Sequence, residues 1–154
     1  RDMMKIVIGS DHGGFHLKET IRRELAEEGY EVKDVGTHSL DSCDYPLIAQ
    51  DATAAILAGE AELGILICGT GIGIGIAANK VPGIRAALCH DVFSAKASRA
   101  HNNANILTMG ERVIGPGLAL EIVHAFLEGQ FEGGRHERRV NEITALEQGG
   151  AAHE

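Results

Sequence analysis

Four stretches of the chain are almost continuously apolar and too short for helices: "KIVIG" (5–9), "LGILIC" (63–68), "IRAALC" (84–89) and "NILTMG" (105–110). Runs of this length predict strands buried on both faces, as strands of a parallel sheet are. A fifth run, "YEVKDVG" (30–36), alternates apolar with polar and predicts an edge strand. Between the strands the period changes. In "FHLKETIRRELAEEG" (15–29), Leu17, Ile21 and Leu25 recur every four residues, and Gly29 supplies a stop. "PLIAQDATAAILAGE" (46–60) opens with Pro46 near a first turn. "GLALEIVHAFLEG" (117–129) gathers Leu118, Ile122, Val123, Phe126 and Leu127 on one face. A last helix is predicted over about 138–148, followed by a frayed tail at 149–154.

Strand and helix in alternation predict an α/β fold: one domain over 4–148, an open doubly wound five-stranded parallel sheet with right-handed crossovers, closed by a C-terminal helix. The commonest strand order for such a sheet is 2-1-3-4-5. In it the chain reverses direction between the first and third strands, and ligands bind beyond the carboxyl ends of strands flanking that point. Ser10-Asp11-His12-Gly13-Gly14 follows the first strand, and Cys68-Gly69-Thr70-Gly71 follows the third. Two polar, glycine-flanked clusters are therefore expected to meet where the fold puts its site.

Composition narrows the function classes. The 154 residues carry a net charge of −8 and no basic patch of the size that duplex nucleic acid needs. No apolar run is long enough to span a bilayer, and the start lacks a signal-peptide pattern. Arg1 and Asp2, ahead of two methionines, read as a cloning remnant. Cys43, Cys68 and Cys89 are widely spaced, without a C-x-x-C pair. This argues against a disulfide scaffold or zinc ribbon and for a reducing, cytoplasmic setting.

The stretch "CGTGIGIGIAANK" carries the strongest chemical signal. It is not a dinucleotide fingerprint: counted from Gly69 and Gly71 the third glycine position holds Ile74, and from Gly71 and Gly73 it holds Ile76. It is not a Walker A loop either, since Lys80 stands between Asn79 and Val81. What remains is an anion nest, in which glycines leave successive N–H groups unshielded at a helix N-terminus. Cys68, beside that positive pole, can have a depressed pKa and be partly thiolate. As an isolated cysteine it reads first as a small buried hydrophobe, and the glycines as a means of close helix–sheet packing; its place at the switch point beside the nest favours the chemical reading.

Other clusters keep two readings each. Asp11 suits a helix cap as well as a site. His12 and His16 stand four apart, but the glycines between them make the helical register uncertain, and only Asp11 offers a nearby third metal ligand. His101, near a helix C-terminus, suits the helix dipole, yet it is expected at the same sheet edge as Cys68. "GGRHERRV" (133–140) holds three of the nine arginines within five residues. Arg135 and Arg139 share a helical face, and Arg112 follows the fifth strand; a dianion clamp and an exposed, ion-paired face both fit.

Taken together, "SDHGGFHLK", "DVGTHS…DYP", "GILICGTGIGIGIAANKVPGIRAA", "SRAHNNANIL", "GERVIG" and "FEGGRHERRV" resemble the ribose-5-phosphate isomerase B family, which includes the galactose-6-phosphate isomerase subunits. The resemblance covers about residues 4–147. It implies an aldose–ketose isomerase without cofactor or metal, acting on a sugar phosphate as a homodimer or dimer of dimers with shared active sites. Carried onto this chain, it implies that Cys68 abstracts the proton and that Gly69, Thr70, Gly71, Ile72 and Gly73 form the anion hole. Asp11 and His12 contact the sugar, His101 opens the furanose ring with Asn102 beside it, and Tyr45 lines the pocket. Arg112, Arg135 and Arg139 hold the phosphate, some from the partner. One branch of the family replaces the cysteine by a glutamate further along the loop; Ile74 stands there, which implies the cysteine type.

That chemistry matches the residue types. Moving a proton between C1 and C2 requires a base for a weak C–H acid, fixed donors for the enediolate oxygen, a ring-opening group and a phosphate clamp. Ribose 5-phosphate is the expected substrate. Allose 6-phosphate, galactose 6-phosphate or a tetrose phosphate, and a non-catalytic sugar-phosphate sensor, are the alternatives. An aromatic content of 4% without tryptophan weakens a flavin-binding reading.

Overall fold

The computed structural model describes residues 4–150. The predicted runs form β1 (Lys5–Ser10), β2 (Glu31–Asp34), β3 (Leu63–Cys68), β4 (Ala86–Leu88) and β5 (Ile106–Gly110). They alternate with α1 (Phe15–Glu27), α2 (Tyr45–Leu57), α3 (Ile72–Asn79), α4 (Val92–Ala100), α5 (Pro116–Glu128) and α6 (Arg135–Leu146). A short 3-10 turn over His12–Gly14 precedes α1. Every strand pairing is parallel. The reading of Arg1 and Asp2 and tail residues 151–154 lie outside the described residues. Gly149 and Gly150 donate their N–H groups to Leu146 and Ala145 at the end of α6.

The strand order is β2-β1-β3-β5-β4, so the expected 2-1-3-4-5 is corrected at its last two places. The physical reason is burial. All five residues of β5 are buried, whereas β4 has three residues, two half-buried alanines and the exposed Leu88. The fully buried strand takes the interior position and the short one takes the edge. "IRAALC" is therefore an edge strand rather than a buried one. Crossover handedness survives the exchange. The chain passes from β3 out to β4 through α3 on one face and returns to β5 through α4 on the other. Helices α1, α4 and α5 cover one apolar cluster, and α2 and α3 cover the second.

The exchange matters for the site. With β5 directly beside β3, the Glu111 N–H donates to the Cys68 carbonyl (3.0 Å) and the Arg112 N–H to the Gly69 carbonyl (3.1 Å). An intervening strand would hold these segments about 10 Å apart, two strand spacings. The switch point between β1 and β3 is as expected.

Helix α1 buries Leu17, Ile21 and Leu25, as its period requires, and also Lys18, whose side chain is 0% exposed. Its ammonium meets Asp34 at 2.6 Å and Glu19 at 3.1 Å, and Arg22 binds Glu19 at 2.8 Å. Asp34 in turn accepts the Gly36 N–H at 2.9 Å, which ties α1 to the chain leaving β2. Hydrogen bonding to Arg22, and after it the ammonium of Lys18, hold the Glu19 carboxyl at about 2 against an ordinary 4.5. A depressed folded-state pKa gives stability that is full above the unfolded value and lost as pH falls through the folded one. The stability difference between the native chain and Glu19→Gln, measured by urea unfolding, is therefore expected to shrink as pH falls from about 4.5 to about 2. An unchanged difference over that window would show that the Glu19 charge does not support the fold.

No helix among the described residues is long and apolar enough to cross a membrane.

Candidate active site

The carboxyl ends of β1, β3 and β5 bring one group of the expected residues together. Cys68 ends β3, 5% exposed, and its Sγ accepts the Gly71 N–H at 3.1 Å. Gly71 caps α3 in the left-handed conformation (φ 78°), which glycine adopts without steric cost. The Thr70 hydroxyl accepts the Ile72 N–H at 3.2 Å. The loop thus wraps its first amides around the thiol and Thr70 at the positive end of α3. Tyr45, the first residue of α2, lays its ring on Gly73: a Cβ there would come within 2.7 Å of the ring Cζ. Arg112 lies over Gly69 in the same way, with Nη1 3.3 Å from where a Cβ would stand.

Asp11 follows β1, 7% exposed, and its Oδ1 accepts the Gly13 N–H at 2.9 Å, which is the capping geometry. A Cβ on Gly13 would meet the Gly69 nitrogen at 3.3 Å, so the loops after β1 and β3 touch. The Cys43 N–H donates to His12 Nδ1 at 3.2 Å. Neutral His12 therefore carries its proton on Nε2. Asp11, His12, Tyr45, Cys68, Gly69, Thr70, Gly71, Ile72, Gly73 and Arg112 accordingly form one constellation.

The remaining expected residues form another. His101, just past the end of α4, stacks on His136 with ring centroids 4.3 Å apart and planes 10° apart. Glu132 lies 3.9 Å from His101 and 3.6 Å from His136. Arg135 opens α6 beside them, and Arg139 is one turn further on. Asn102 follows His101, and the Arg85 Nε donates to the Asn102 carbonyl (3.1 Å) and the Asn103 carbonyl (3.0 Å). A cavity of about 550 Å³ between β4 and α6 is lined by Arg85, Asn102, Ile143 and Leu146 among others.

This second group stands at the amino edge of the sheet, and the expectation of His101 beside Cys68 is corrected. Helix α4 starts at the carboxyl edge and runs back antiparallel to the strands, so its end returns to the opposite edge. The Gly64 N–H donates to the Asn105 carbonyl, which places that turn at the start of β3. Four residues of strand then separate it from Cys68, about 13 Å. Asn102, Arg135 and Arg139 go with His101.

Three functional candidates escaped the sequence reading. His136 lies inside "GGRHERRV" but was not separated from the arginines; burial, then the charges of His101 and Arg135, push its imidazole below the ordinary histidine range. Glu132 bridges both histidines. Glu111 accepts the Leu17 N–H at 2.7 Å and so ties the end of β5 to the start of α1 across 94 residues of sequence, a pairing with no local signal. Donor atoms of His101, Glu132 and His136 all lie within 4.8 Å. Both imidazole Nε2 atoms approach one oxygen of Glu132, its Oε1.

The fold thus sets a thiol against a glycine loop at the carboxyl edge of the sheet and a histidine–arginine group at the amino edge. The model of the Ribose/Galactose Isomerase family matches residues 6–143, and the chain belongs to that family. It is 53% identical to "Ribose-5-phosphate isomerase B" of Escherichia coli K12 over 146 residues, 95% of this chain and 98% of that protein. It is 46% identical to "D-erythrulose-4-phosphate isomerase" of Pectobacterium atrosepticum, covering 94% and 96%. The solved structure of Clostridium thermocellum ribose-5-phosphate isomerase B superposes with a TM-score of 0.94 at 55% identity, covering 95% of this chain and 99% of that one.

Proposed function

We propose that the chain interconverts ribose 5-phosphate and ribulose 5-phosphate by metal-free proton transfer through an enediolate. The observation that carries this reading is Cys68 Sγ lying 3.1 Å from an amide of the glycine loop. A base and the donors for the charge it creates thus occupy one turn of chain. Asp11 and His101 open the furanose. Deprotonated Cys68 then takes the C2 proton of the open aldose, and the electron pair passes through the C1–C2 bond to the carbonyl oxygen. The amides of 69–73 hold that oxygen's charge. Return of the proton to C1, with the hydroxyl proton passing from O2 to O1, gives the ketose.

Arg112, Arg135 and Arg139 clamp the phosphate, and its binding energy orients the carbons that react. Since the two constellations lie at opposite edges of one sheet, a homodimer completes each site, the partner supplying its His101, Asn102, Arg135 and Arg139. Exposed Ile72, Ile76, Leu88 and Phe93, on and beside α3 and β4, offer apolar surface for that contact. A base of this kind needs its thiol reduced, which favours a reducing compartment such as the cytoplasm.

The erythrulose-phosphate relative supports a second reading, a tetrose-phosphate isomerase with the same residues in the same roles. Steady-state kcat/KM for ribose 5-phosphate, erythrulose 4-phosphate and allose 6-phosphate, measured side by side, decides between them. The pentose is expected to give the highest value. A higher value for another sugar phosphate would reassign the substrate and leave the mechanism in place.

A further inference from the structure

We propose that Thr108 is a positioning residue that aims the Gly71 amide at the Cys68 thiol. The inference rests on the reading of Cys68 as the base. Thr108 is the one polar side chain of β5 and is 0% exposed. It points to the α3 face of the sheet, and its hydroxyl donates to the Gly71 carbonyl at 2.9 Å. A Cβ on Gly75, one turn along α3, would come within 3.2 Å of the same hydroxyl oxygen. Thr108 is therefore wedged between Gly71 and Gly75, a seat in which α3 has no side chains.

The peptide that follows Gly71 is fixed at both ends. Its carbonyl oxygen accepts from Thr108, and its N–H, that of Ile72, donates to the Thr70 hydroxyl at 3.2 Å. Gly71 sits at φ 78° and ψ −8°. With the following peptide plane held, rotation about the Gly71 backbone is closed off, and the preceding plane keeps its N–H on Cys68 Sγ at 3.1 Å. A glycine in this region is otherwise free to leave it, because both hands of backbone are open to it. A side-chain hydroxyl from the neighbouring strand thus sets the direction of a loop amide, and that amide sets the place of the sulfur. Valine at 108 would keep the shape of the side chain and lose the hydrogen bond.

The test compares Thr108→Val and Thr108→Ser with the native enzyme. Misplacement of a reacting group costs up to about a hundredfold in rate, so Thr108→Val is expected to lower kcat by ~10–100-fold with KM changed by less than about twofold. Alkylation of Cys68 by iodoacetamide, followed on its own peptide by mass spectrometry, is expected to slow in parallel. Thr108→Ser restores the hydroxyl and is expected to return both quantities towards native values. If the valine variant does not accumulate folded, Thr108→Ala is read in the same way. Native kcat and native Cys68 alkylation without the hydroxyl would overturn the proposal. So would an equal loss in the serine variant, or a fall in activity with alkylation unchanged. Cys68→Ala, assayed alongside, separates the two levels: native turnover there refutes the base itself. Its loss, beside an unaffected Thr108→Val, refutes only the positioning.

Discussion

Cys68→Ala is expected to lower kcat by ~10²–10⁴, the usual worth of a positioned general base, while an inert phosphate-bearing analogue still binds with nearly native affinity. The split follows from the geometry. The sulfur meets the loop amide, whereas in the proposed site the phosphate is held by arginine side chains, which the substitution leaves in place. No neighbour stands ready to replace the thiol. Ile74, further along the loop, is 0% exposed in the cluster beneath α2 and α3 and carries no titratable group. Cys89 belongs to the apolar cluster on the other face of the sheet, and burial pushes its thiol above the ordinary range. A Cys68→Ala enzyme with near-native kcat would remove the cysteine from the mechanism. One that loses analogue binding to the same extent as kcat would make Cys68 a structural residue of the loop.

The sequence revealed the two clusters at the β1/β3 switch point because both depend on local signals. A short apolar run, a glycine after it and a polar residue at the junction are enough to place Asp11 and Cys68 at strand ends. The order of β4 and β5 has no comparable signal. Both runs are apolar, and their difference is the length over which each is covered, which depends on what packs on them. Only three residues of "IRAALC" pair, and they form the sheet's edge. Arg112 gained its place beside Gly69 from that exchange. His101 shows the limit of edge-counting: the residue was rightly put at a helix end, but the helix runs antiparallel to the strands, so its end and Cys68 belong to opposite edges. Thr108 carries no such signal, because one threonine in "NILTMG" does not break the apolar run and its partner is 37 residues away.

The placement of His101, Arg135 and Arg139 at the edge opposite Cys68 makes subunit complementation the sharpest test of the assembled site. Arg135→Ala alone is expected to raise KM strongly, since a charge-assisted contact to the substrate phosphate contributes about 1.5–3 kcal/mol. Cys68→Ala alone is expected to be nearly inert. If each site takes its thiol from one subunit and Arg135 from the other, a mixed dimer of these variants holds one site with both defects and one with neither. In the intact site, the Arg135→Ala chain supplies the thiol and the Cys68→Ala chain supplies the arginine. With random exchange at equal amounts, half the dimers are mixed and half of their sites are intact. About a quarter of native activity is therefore expected, with native KM, from two preparations that show little alone at low substrate. Exchange is verified independently by native mass spectrometry of differently tagged chains. Mixed dimers without recovered activity would mean that Cys68 and Arg135 act from the same chain. In that case α6 would have to leave its place beside His101 when substrate binds.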